Sequence, residues 1–220
     1  MREILTEHRF SLTTVLVFIL VATVAQVAVA GEEKRGKALF ALCGACHGPQ
    51  AHGNESIKAP ALAGLTETYI ADQLRKFQNG TRGAHPEDHT GLLMRPMSKT
   101  LANDEDIASV AAYIATLEPA RPRITVEGNL AAGQPMYAVC VACHGDNLQG
   151  NPELKTPPLR HLNDWYMLAQ LKKFKAGYRG TDIADIQSTQ MRAIMGAVPD
   201  EAAMKNIIAY MNKMAAEQAD

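Results

Sequence analysis

The chain has 220 residues, with 22 lysines and arginines against 23 aspartates and glutamates and a formal net charge of −1 at pH 7. That length holds two small domains or one larger one, and the balanced charge excludes the basic footprint of a nucleic-acid-binding protein. Aromatic residues make up only 5%, so domains of this size are short of core unless a large, flat, apolar cofactor fills them.

Along the chain, residues 1–30 read first as an export signal. Arg2 and Arg9 supply positive charge, Leu12 to Val29 is mainly apolar, and Ala28-Val29-Ala30 is a small-residue cleavage pattern before Gly31. The apolar run is also long enough to serve as an uncleaved membrane anchor. From Glu33 a first helix is expected to lead into Cys43-Gly44-Ala45-Cys46-His47. Tyr69 to Phe77 gives a second helix, ended by Gly80. Asp104 to Leu117 gives a third, with Asn103 as N-cap, Asp106 three residues on as a capping box, and an apolar stripe at Ile107, Val110, Ala111, Ile114 and Leu117. Pro119-Ala120-Arg121-Pro122-Arg123 then forms a short, stiff connector.

Beyond the connector the same pattern recurs. A shift of 97 residues places the first cysteine motif on Cys140-Val141-Ala142-Cys143-His144 without a gap. It also places Gly36 on Gly133, Pro60 on Pro157, Gln73 on Gln170, Lys76-Phe77 on Lys173-Phe174, Arg82 on Arg179 and Met94-Arg95 on Met191-Arg192. In the second copy Met204, Ile207, Ile208, Met211 and Met214 form the apolar stripe of the last helix, and Pro199 suits its start. Alternating strands are absent. The expected organisation is all-α, with two homologous domains at 31–118 and 128–220 and a linker at 119–127.

Cys-x-x-Cys-His is the attachment pattern of c-type haem. Two thiols on one helical turn add across the two vinyl groups of one porphyrin, and the adjacent imidazole emerges below the iron. Cys43, Cys46 and His47 thus mark one haem, and Cys140, Cys143 and His144 a second, which uses all four cysteines and leaves none for a disulfide. Zinc ribbons space their cysteine pairs by roughly 15–20 residues, and a thioredoxin-like motif needs a strand–helix–strand setting; neither condition is met.

A sixth iron ligand is sought among ten methionines. The repeat discriminates between them. Met94 and Met191 stand at equivalent positions, whereas Met97 falls on Ile194 and Met195 on Ser98. Met94 and Met191 are therefore the candidate ligands, a soft thioether favouring ferrous iron; the alternative is that they are core gap-fillers. The carbonyls of Pro60 and Pro157 are candidates to accept the imidazole Nδ1–H. Arg82 and Arg179 are either partners of haem propionates or solvated loop charges. Gly36 and Gly133 are expected to let the first helix of each half approach the last. His85 and His89, before Met94, are expected to face solvent, and His161 replaces Gly64 of the first copy with no role assigned.

Both Cys-x-x-Cys-His sites, the Pro-x-Leu loops at Pro60 and Pro157, the Gln-Leu-x-Lys-Phe-x-x-Gly-x-Arg segments and the Met-Arg segments resemble the diheme cytochrome c4 family, two class I cytochrome c domains fused in tandem. The resemblance spans residues 32–215 and implies His/Met coordination of two covalent haem c groups, each wrapped by one domain. It departs at Gly64-Leu65 and His161-Leu162, where the family carries Gly-Gln. It also implies a periplasmic electron carrier rather than an enzyme, with redox proteins of the respiratory chain as partners, among them a membrane terminal oxidase. The alternatives are the cytochrome subunit of a periplasmic dehydrogenase of the flavocytochrome type and, from a different class, a diheme peroxidase.

Overall fold

The computed structural model describes residues 31–218; the expected export segment lies outside them. Each half repeats one order of four helices. The first half has α1 (31–47), α2 (Glu67–Asn79), α3 (His89–Ser98) and α4 (Asp104–Ala115). The second has α5 (Leu130–His144), α6 (Asp164–Ala176), α7 (Ile186–Ala197) and α8 (Glu201–Glu217). Among the described residues β pairing is confined to two isolated bridges, Asn54 with Ala59 and Asn151 with Thr156, and no helix is long and apolar enough to cross a membrane.

Local chemistry accounts for the boundaries. Thr66 Oγ1 accepts the Tyr69 N–H to open α2, and Gly80 closes it at φ 87°, a left-handed conformation that favours glycine. Asn103 Oδ1 accepts the Asp106 N–H at 2.8 Å, as the capping pattern predicts. Asp106 reaches back to the Ala102 N–H at 3.0 Å, one residue beyond the cap, because its other oxygen holds the Arg35 guanidinium of α1 at 2.7 Å. Pro199 precedes the Asp200 N-cap of α8 rather than lying in its first turn.

The first and last helices of each half cross where a glycine removes a side chain. A Cβ at Gly36 would stand 2.2 Å from the Ser109 carbonyl, and one at Gly133 only 2.0 Å from the Asn206 carbonyl. Equivalent ring pairs sit beside each crossing, Phe40–Tyr113 at 5.5 Å and Tyr137–Tyr210 at 5.9 Å. Below them Ile107, Val110, Ala111 and Ile114 fill the first core, and Met204, Ile207, Ile208 and Met211 the second. Leu117 and Met214 are only half-buried.

The sequence expectations lacked α3 and α7; of the two histidines before Met94, His89 is the first residue of α3. Both segments are helices opened by an aspartate: Asp88 accepts the Gly91 N–H at 2.9 Å and Asp185 the Ser188 N–H at 3.1 Å. Gly91 and Pro96 hide the helical signature of α3 in the sequence, since glycine and proline are poor helix formers.

Candidate haem sites

Each cysteine motif forms the C-terminal end of a helix, α1 or α5, so both thiols and the imidazole follow one helical turn. His47 and His144 are buried, at 5% and 6% exposure. His47 Nδ1 stands 2.7 Å from the Pro60 carbonyl and His144 Nδ1 3.1 Å from that of Pro157. A carbonyl can only accept, so Nδ1 carries the proton and Nε2 is left with its lone pair for a metal. Burial pushes both imidazoles below the ordinary histidine range, against the opposing pull of the proline carbonyls, which keeps them neutral and ligand-ready at pH 7. The loop after each histidine is folded tightly back: Gly53 N–H donates to the His47 carbonyl at 2.8 Å and Gly150 N–H to that of His144 at 2.9 Å. Burial also raises the Cys43 thiol, and it pushes Cys140 up to about 11, aided by Cys143.

Met94 and Met191 project from α3 and α7, both half-buried. An open cavity, mostly of the second half but with Tyr69, Gln73 and Lys76 of the first in its lining, is bounded by Cys140, Cys143, His144, Met191 and Met195, with Leu159, Leu162 and Phe174 among its apolar walls. Met195, one turn beyond Met191 and 2% exposed, belongs to the core as well as to the lining. One polar group in this apolar lining lacks a partner: the buried Nε of Arg179 makes no hydrogen bond. A mainly apolar cavity lined by two thiols, a neutral imidazole and a thioether, with one unpartnered guanidinium Nε, fits a large apolar macrocycle bearing carboxylates.

Arg82 and Arg179 are not solvated loop charges. They are 8% and 7% exposed and meet between the two halves. Arg82 donates to Gln73 Oε1 at 2.7 Å in its own half and to the Tyr166 hydroxyl at 2.8 Å in the other; Arg179 donates to Gln170 Oε1 and across to Gln73 Oε1, both at 2.9 Å. Each guanidinium also lies 4.5 Å from a phenylalanine ring of its own half, Phe77 or Phe174. Lys76 Nζ crosses to Asp185 at 2.8 Å and Lys173 Nζ to Asp88 at 2.5 Å. Asn163, the N-cap of α6, leaves its own helix uncapped and accepts the Ala61 N–H across the same junction at 2.7 Å. The crossed lysine–aspartate pairs were not anticipated from the sequence, although all four residues obey the 97-residue offset. Among the histidines His89 is exposed as expected. His85 instead stacks on Tyr178 of the other half at 4.4 Å. His161 packs on Gly64 across the junction, where a Cβ on Gly64 would stand 2.9 Å from it.

The junction carries a pH prediction. Burial raises the Asp185 carboxyl, but hydrogen bonds from Lys76 and Ser188 outweigh it and hold it below the usual carboxylate range. A depressed carboxylate contributes stability above its unfolded pKa of about 3.9 and loses it as pH falls through the folded value. Denaturant midpoints of the native chain and Asp185→Asn are expected to differ by a constant amount above about pH 5 and to converge below about pH 4.

Comparison with known proteins places this geometry. The cytochrome c family model matches twice, at residues 33–118 and 130–215. Cytochrome c4 of Azotobacter vinelandii is 34% identical over 167 residues, covering 70% of this chain and 77% of its own. The thiosulfate dehydrogenase electron acceptor of Thiomonas intermedia is 32% identical over 163 residues, covering 68% and 70%. Among solved structures, a thiosulfate dehydrogenase of Marichromatium purpuratum superposes with a TM-score of 0.66 at 30% identity; 82% of this chain spans 40% of that one. The duplicated helices, the paired sites and these matches together make the chain a member of the cytochrome c family, a two-domain electron carrier of the cytochrome c4 kind with two covalently bound haem c groups.

Proposed function

We propose that the chain carries single electrons in the periplasm between respiratory donors and a terminal acceptor such as a membrane oxidase, and that it is a carrier rather than an enzyme. In this reading residues 31–118 and 128–220 are the two haem domains, joined by 119–127, and residues 1–30 direct export. Cys43 and Cys46 would hold the first haem, with His47 and Met94 as ligands to its iron; Cys140 and Cys143 would hold the second, with His144 and Met191. The observation that carries the reading is the single cavity that gathers Cys140, Cys143, His144 and Met191. A bound haem supplies a one-electron ferric/ferrous couple whose potential depends on axial ligation and burial. The residues do the rest. The proline carbonyls fix each imidazole tautomer, the apolar walls exclude water, the methionine closes the position a substrate would need, and Arg179 Nε offers a partner to a propionate.

A potentiometric titration followed by optical spectra tests this. Two one-electron steps per chain are expected, with low-spin spectra throughout and no turnover of hydrogen peroxide. A high-spin resting haem with peroxide turnover would instead establish the diheme peroxidase alternative. The thiosulfate dehydrogenase matches favour a second reading, in which the same module is the acceptor subunit of a periplasmic dehydrogenase; stoichiometric co-purification with such an enzyme distinguishes it from a free carrier.

A further inference from the structure

The ion pairs between the two halves end at a particular place. Asp88 and Asp185 are not general surface carboxylates. Each is the N-cap of the helix that bears a candidate methionine ligand: Asp88 opens α3, which carries Met94, and Asp185 opens α7, which carries Met191. In both cases the oxygen that caps the helix is also the one that receives the lysine. Asp185 Oδ1 accepts from the Ser188 N–H at 3.1 Å and from Lys76 Nζ at 2.8 Å; Asp88 Oδ1 accepts from the Gly91 N–H at 2.9 Å and meets Lys173 Nζ at 2.5 Å. The aspartate side chains are 3% and 2% exposed and the lysine side chains 11% and 15%. Such a buried charge left without its partner is strongly unfavourable, so each lysine is bound to its post.

The attachment is crossed. Lys76 belongs to the first half and pins the methionine helix of the second; Lys173 belongs to the second and pins that of the first. Within each half the methionine helix packs on its own α2 or α6, yet the charge that fixes its first turn comes from elsewhere. The two locks differ in one respect. Lys76 is also held by Asp72 of its own helix at 2.7 Å, whereas Lys173 takes Thr90 Oγ1 of α3 at 2.6 Å and so grips the opposite helix twice.

We propose that Lys76 and Lys173 are positioning residues that hold the axial methionine of the opposite haem, so that ligation at each site depends on docking of the other half. The proposal rests on the assignment of Met94 and Met191 as ligands. Loosening the first turn of α7 or α3 lets that helix shift, and the fraction of molecules with the thioether off the iron rises. A competing ligand such as imidazole then binds in proportion to that fraction.

The test uses the full chain with both haems attached. Proton NMR of the ferrous protein resolves one ligand-methionine methyl signal per haem, assigned with Met94→His and Met191→His. Lys76→Met is expected to broaden or shift the Met191 signal, to leave that of Met94 in place, and to raise imidazole affinity at the second haem about tenfold. Lys173→Met is expected to do the reverse. Asp185→Asn, which keeps a competent N-cap while losing the charge, should match Lys76→Met in kind, and it serves if the lysine variant does not fold. Absence of both methyl signals from the unmodified protein would overturn the ligand assignment and the inference with it. Signals present but perturbed within the lysine's own half, or unchanged in every variant, would overturn the crossed attachment alone.

Discussion

Replacing Met191 by alanine is expected to remove half of the weak sulfur-to-iron charge-transfer absorption at the red end of the ferric spectrum. It should also lower the potential of the second haem by more than about 0.1 V, a modest share of the ~0.8 V range that axial ligands command. The expectation rests on position. Asp185 opens α7, and Met191 lies six residues on, lining the cavity that holds Cys140, Cys143 and His144. A thioether there stabilises ferrous iron; water or an empty position does so less. Met94→Ala should produce the same loss at the first haem, leaving the second intact. The control is Met195→Leu. Met195 also lines the cavity but has no counterpart at the repeat offset, since Ser98 stands there. A volume-conserving swap of a buried methionine costs below about 1.5 kcal/mol and should leave the absorption whole. Redox titration with optical spectra on the three variants reads all of this, and loss of the band from Met195→Leu with retention in Met191→Ala would reassign the ligand.

Gly133→Ala is expected to destabilise the protein by about 3 kcal/mol, at the upper end of ordinary overpacking. The added Cβ would stand 2.0 Å from the Asn206 carbonyl oxygen and 2.6 Å from its carbon, which is backbone of α8 and cannot swing aside. The helices must separate, and the Tyr137–Tyr210 contact at 5.9 Å opens with them. Gly36→Ala should act alike against Ser109 in the first half. Gly196→Ala supplies the contrast: nothing lies within 4 Å of its Cβ position, so in helix α7 the change should stabilise by about 0.5–1 kcal/mol. Denaturant unfolding of the haem-loaded chain measures the three; equal effects at positions 133 and 196 would show that the crossing is not as close as described.

The parts of this architecture legible in the sequence are those where one residue type has one physical use. The capping oxygen of Asn103, the glycine closing α2 at Gly80, the helix crossings at Gly36 and Gly133, and the carbonyl acceptors at Pro60 and Pro157 all stand where the duplicated pattern predicts. Two things were hidden. One was the pair of methionine helices, α3 and α7, the first of which carries Gly91 and Pro96, both poor helix formers. The junction between the halves was hidden more deeply. In one dimension Arg82 and Arg179 read as propionate partners or solvated loop charges, and Lys76 and Lys173 only as a matched pair of the repeat; the apposition of the halves sets them against Asp185, Asp88, Gln73, Gln170 and Tyr166. His85 was misjudged for the same reason, since its stacking partner Tyr178 lies 93 residues away in the other half.

Two haems attached through thioether bonds, one to each copy of the repeat, add their mass to that of the polypeptide. Intact-mass spectrometry of the denatured chain, produced in cells competent for haem attachment, tests this attachment most directly. The expected mass is that of the amino acids plus two haem groups, falling to one when Cys140 and Cys143 are replaced by serine; a mass equal to the polypeptide alone would show that neither copy of the repeat carries haem.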